Sequence, residues 1–123
     1  MSLRVQKITK IYSTPLEVAI KYYSIICILN DIFITEREIQ LLAFTCLVGT
    51  ISYKQHKEQF ATTFGSSVAS VNNMISKLKS LNLLVKVQGK YRINPKISLE
   101  FDKTDIALAV TLKKDVPTPT VNT

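Results

Sequence analysis

Apolar residues recur at helical spacing over four stretches and then switch to strict alternation, which predicts four helices followed by a β-hairpin. Thr14-Pro15-Leu16-Glu17 opens the first helix. Thr14 suits the N-cap, Pro15 the first helical position, and Glu17 the returning half of a capping box. This helix is expected to run to about Asn30. Its polar residues Glu17, Lys21 and Ser24 form one narrow stripe, and nearly everything else is apolar. A helix with so little polar face has to be covered on most sides. Part of that cover is expected from a second copy or a partner, through Val18, Tyr22, Ile25, Ile28 and Leu29. Thr35-Glu36-Arg37-Glu38 repeats the capping signature and opens a helix to about Val48, with Ile39, Leu42, Ala43, Cys46 and Leu47 inward. A shorter helix over 53–63 offers Phe60 and Phe64 to the core, and Gly65-Ser66 is a turn. The helix over 67–80 turns Val68, Val71, Met74, Ile75 and Leu78 inward.

The period then falls from 3.6 to 2. Leu84-Val85-Lys86-Val87, the turn Gln88-Gly89, and Lys90-Tyr91-Arg92-Ile93 predict a hairpin, which Asn94-Pro95 ends. Outside this unit, residues 1–13 fit an edge strand or an extended arm, since Arg4 to Tyr12 mixes basic with β-branched residues. Residues 98–115 form an extension with a candidate strand at 106–112, able to pair with the N-terminal segment or with a neighbouring subunit. Residues 116–123 are a Pro/Thr tail expected to be flexible. The fold class is therefore mainly α with a small β-hairpin wing, carried by residues 14–97 and flanked by extended segments.

Charge sharpens this picture. The net charge is +7, and no acidic residue occurs between Gln59 and Leu99. Residues 54–95 carry Lys54, Lys57, Lys77, Lys79, Lys86, Lys90 and Arg92 against Glu58 alone. So one-signed a region suits a polyanion. The longest apolar stretch, 16–29, is too short and too charged to span a bilayer, so no membrane partner is expected. No signal-peptide core follows the basic start, and Cys27 and Cys46 sit in apolar helical patterns as reduced thiols. The expected setting is a cytoplasm, or a virion if the chain is phage-encoded.

The arrangement from 35 to 97 resembles the winged helix-turn-helix DNA-binding superfamily. The residues that carry the likeness are Phe60-Ala61-Thr62-Thr63-Phe64-Gly65, Ser67 to Leu78 with its inward Val71, Ile75 and Leu78, and the ending Tyr91-Arg92-Ile93-Asn94-Pro95. That ending is similar to winged-helix replication initiators of plasmids and to small phage-encoded DNA-binding proteins. Asn82 stands where many members have Gly, and Asn is the usual substitute at a left-handed stop. The resemblance implies that the helix over 67–80 lies in the major groove of double-stranded DNA. Its outward face would present Ser66, Ser70, Asn72, Asn73, Ser76, Lys77 and Ser80, with Asn suited to adenine and Ser to bases or phosphates. Lys86, Lys90 and Arg92 of the wing would meet the backbone or the minor groove, and Tyr53, Lys54 and Lys57 would bind phosphates. This helix has no Arg, so the commonest contact to guanine is absent and general duplex affinity is the stronger expectation.

Catalysis is not expected. His56 is the only histidine and lies among Lys54, Gln55 and Lys57, which suits a surface or phosphate contact rather than a metal. No cysteine or carboxylate cluster has metal-ligand spacing, no triad can be assembled, and no Gly-rich loop cradles a phosphate, so no cofactor is expected. The apolar first helix and the two extensions leave a second reading open, a structural subunit of a phage particle or another assembly that uses the same scaffold for protein contacts.

Overall fold

Four helices and one antiparallel hairpin make up the computed structural model, which describes residues 2–115: α1 Pro15–Leu29, α2 Glu36–Val48, α3 Lys54–Phe64, α4 Val68–Ser80, β1 Leu84–Val87 and β2 Lys90–Ile93. A 3-10 turn, Pro95–Ile97, follows. The tail expected at 116–123 lies outside the described residues.

Each helix starts where a side chain accepts a free N–H, save one. The Thr14 hydroxyl accepts from the Glu17 N–H at 3.2 Å. Glu17 does not return the bond to the backbone, because its carboxylate accepts from the hydroxyls of Ser13 and Thr14 instead. At α2 the reciprocal box is complete, with Glu38 N–H to the Thr35 hydroxyl at 3.2 Å and Thr35 N–H to the Glu38 carboxylate at 2.7 Å. Ser67 caps α4. Tyr53 precedes α3 without a side-chain cap. Asn82 follows α4 at φ +61°, the left-handed stop that its amide side chain tolerates. Gln88 and Gly89 both take positive φ, as a two-residue turn of type I′ requires. The ladder runs Leu84 to Ile93, Val85 to Arg92, Lys86 to Tyr91 and Val87 to Lys90.

α2 is the central element and packs against α1, α3, α4 and β2. It is buried on more sides than its inward stripe suggested: Leu41, Phe44 and Thr45 are buried with Ile39, Leu42 and Ala43, while Leu47 is exposed. Phe60, Val71, Leu78, Leu84 and Ile93 complete the core beneath α3, α4 and the hairpin. The free edge of β2 is capped locally. Ile51 N–H and the Thr50 hydroxyl donate to the Tyr91 carbonyl, and Tyr91 N–H donates to the Ser52 hydroxyl.

α1 is covered chiefly by α2, and the chain's own C-terminal extension covers part of what remains. Phe101 sits on Tyr22 and Tyr23, with ring centroids 5.4 and 5.8 Å apart. The Tyr23 hydroxyl donates to the Ile97 carbonyl at 2.8 Å, and the Cys46 thiol donates to the Leu99 carbonyl at 3.3 Å. Tyr22 is therefore core rather than oligomer interface. Val18 packs against the same core, and Ile25 is half-buried. Of the residues assigned to an intersubunit face, Ile28 and Leu29 remain exposed. Neither 4–12 nor 106–112 forms a strand within the chain. One hairpin edge is taken by residues 50–52, and Phe101 holds the extension over α1, away from a strand partner.

Candidate nucleic-acid interface

α4 buries Val71, Met74, Ile75 and Leu78, and this stripe fixes what the helix shows to solvent. At 100° per residue the outward face centres on Ala69, Asn73 and Ser76. Ser70, Asn72, Asn73 and Ser76 are all exposed, and Ser66 is half-buried at the turn before the helix. Ala69 is an exposed small residue that permits close approach and offers a methyl for apolar contact. Ser80 belongs to the helix end, because its hydroxyl donates to the Lys77 carbonyl at 2.6 Å.

The two flanks of this face differ. On the α2 side, Lys77 forms an ion pair with Glu38 at 3.0 Å. Burial alone would raise the Glu38 carboxyl, but the Thr35 N–H and the Lys77 ammonium outweigh it and hold the group below the ordinary carboxylate range. Lys77 thus ties α4 to the start of α2, rather than standing free for a phosphate as its place in the sequence suggested. On the hairpin side the free charge comes from a residue that sequence reasoning missed. Lys79 places its Nζ 5.6 Å from the Tyr91 ring centroid, and Lys86 does the same across the hairpin. The signal was available, since Lys79 follows Asn72 by seven and Ser76 by three, the spacing of one helical face.

The hairpin divides its bases between two faces. Lys86 shares a face with Tyr91 and with the buried pair Leu84 and Ile93; Arg92 and Lys90 lie on the other face, opposite Val85 and Val87. Arg92 lines a cavity of about 320 Å³ with Thr45, Cys46, Gly49, Pro95 and Ser98, near the end of α2. It is not brought to the α4 face. Lys90, near the turn, sets its Nζ 4.9 Å from the centroid of Tyr53. Tyr53 is exposed at the start of α3, beside exposed Lys54, while Lys57 is half-buried one turn on. His56 is also half-buried, its ring 5.9 Å from Tyr53, so packing rather than surface exposure describes it.

The assembled surface is thus an uncharged polar helix face bordered by Lys79 and Lys86 at Tyr91, with Lys90 and Lys54 gathered separately around Tyr53, where the hairpin turn meets the start of α3. Glu38, the carboxylate beside α4, is neutralised by Lys77. Among the described residues no three His, Cys, Asp or Glu side chains gather as a metal site, and no helix is long and apolar enough to cross a membrane. Comparison with protein-family models, with curated proteins and with solved structures finds no match.

Proposed function

We propose that the chain is a non-enzymatic DNA-binding protein of winged-helix type, acting in regulation or replication. α4 enters the major groove, and the hairpin and the start of α3 hold the backbone. The observation that carries this reading is the exposed, acid-free face of α4, with Lys79 and Lys86 gathered on its hairpin side around Tyr91. An uncharged face of Asn and Ser reaches base edges by hydrogen bonding, while the surrounding ammonium groups neutralise phosphates and release counterions. Lys54, Lys57, Lys79, Lys86 and Lys90 are the five that serve phosphate. Lys77 is paired with Glu38, and Arg92 lines the cavity at the end of α2.

Replacing Lys79, Lys86 and Lys90 together by Ala tests the reading, because all three are peripheral to the core. Duplex affinity at moderate salt should fall at least about tenfold, and the salt slope should lose about three units. Unchanged affinity would remove this face from contention. A second reading, an interaction subunit of a larger assembly, draws on the exposed apolar residues Ile28, Phe33 and Leu112, which the DNA reading leaves unused.

A further inference from the structure

Residues 105–113 read Asp-Ile-Ala-Leu-Ala-Val-Thr-Leu-Lys. Alternate positions separate a large apolar set, Ile106, Leu108, Val110 and Leu112, from a set of small and charged residues, Asp105, Ala107, Ala109, Thr111 and Lys113. The backbone of this segment makes no hydrogen bond to any described residue, and no strand lies beside it. Ile106 packs against the core cluster, yet Leu108, Val110 and Leu112 are 42%, 49% and 87% exposed. An alternating segment with one apolar face and an unused row of N–H and C=O groups is a strand without its neighbour.

We propose that this segment pairs with the same segment of a second copy, in an antiparallel ladder whose two-fold axis passes through Ala109. Charge sets the register. Centred there, Asp105 of each copy faces Lys113 of the other, Ile106 faces Leu112, and Leu108 faces Val110. Every like face meets its like, and both charges on each strand find an opposite partner. A slip of one residue would set the large apolar face of one copy against the small and charged face of the other. A shift of two either leaves Asp105 opposite Thr111, losing both ion pairs, or opposes Asp105 to Asp115. The N-terminal segment is a poorer partner, because residues 2–12 carry Arg4, Lys7 and Lys10 without an acid and give Lys113 no counterpart. A two-stranded ribbon alone is marginal in water. Here its inner face begins with Ile106, already seated on the core, so each end of the ribbon is anchored to one copy. The pairing is independent of the duplex-binding reading and stands or falls without it.

Cysteine cross-linking tests both the contact and the register in the full chain. Ala109→Cys faces itself across the axis, where paired strands bring the two Cα atoms within disulfide range; Ala107→Cys faces Thr111 and does not meet its copy. In a Cys46→Ser background, mild oxidation should convert Ala109→Cys to a covalent dimer, with Ala107→Cys and the parent chain, whose remaining Cys27 is buried, largely uncrosslinked. Sedimentation should show a concentration-dependent dimer of the unsubstituted chain. Asp105→Lys and Lys113→Asp should each raise its dissociation constant about tenfold, and the double reversal should restore it. Both positions are exposed, so the fold is not at stake. A monomer at all concentrations overturns the proposal. So does equal cross-linking at both alanine sites, or a double reversal that restores nothing.

Discussion

Phe101→Ala isolates the contact that ties the C-terminal extension to the rest of the molecule. Phe101 is only 5% exposed and lies against two tyrosine rings of α1. Truncating a buried Phe to Ala costs about 3–5 kcal/mol, through lost burial and the cavity left behind. The segment around Phe101 has no regular structure beyond a turn, so it relaxes into the gap, and the low end, about 3 kcal/mol, applies. Against the roughly 5–15 kcal/mol that holds a domain of this size together, such a loss is large. It corresponds to a melting temperature lower by roughly 10 °C. Urea denaturation followed by far-UV circular dichroism gives the free energy. Near-UV dichroism reports the tyrosines directly, since the chain has five Tyr and no Trp. Leu112→Ala, at a side chain 87% exposed, serves as the control and should change stability little in the monomer. A loss below about 1 kcal/mol for Phe101→Ala would refute the reasoning, because a deletion at a packed core site costs more than that. The extension's share in covering α1 would then be minor, and α2 alone would carry the packing of that helix.

Other consequences follow from the same geometry. Asn82→Ala should cost about 1 kcal/mol in denaturation because of its left-handed backbone, while Asn82→Gly should be close to neutral. Glu38 carries a carboxyl pKa below its ordinary value of 4.5, so its contribution is complete above that value and fades as pH falls through the folded value. The stability difference between the unsubstituted chain and Glu38→Gln should therefore shrink on acidification below about pH 4, as measured by urea titration across pH. Lys79→Ala should reduce the salt slope of duplex binding by about one unit, whereas Lys77→Met should leave the slope nearly unchanged and lower stability by about 1 kcal/mol or less. Equal slopes for the two variants would contradict the division of roles between the flanks of α4.

How much could be read from the chain depended on distance along it. The Thr35–Glu38 box, the Asn82 stop and the Gln88-Gly89 turn are local devices, settled within about five residues, and they were legible. So was the α4 face, since Val71, Ile75 and Leu78 orient the helix by periodicity alone. The placement of Phe101 on Tyr22 and Tyr23 was not, because nothing near Phe101 signals which apolar surface it joins. For that reason Tyr22 was assigned to an intersubunit face. The engagement of Lys77 by Glu38 joins residues 39 apart and depends on how α4 crosses α2. Arg92 is a different case. Its parity within the hairpin, opposite to that of Leu84 and Lys86 and shared with Lys90, already sets it on the other face, so alternation alone carried the information.

The central claim is that the face of α4, with the lysines around it, meets the phosphates of a duplex. Fluorescence anisotropy of the purified protein against a short random duplex, titrated across salt, tests it most directly. Five phosphate contacts predict binding at micromolar concentration or below in moderate salt, and a slope of log affinity against log salt of about −4.5. Anisotropy that stays flat even at low salt would contradict the claim.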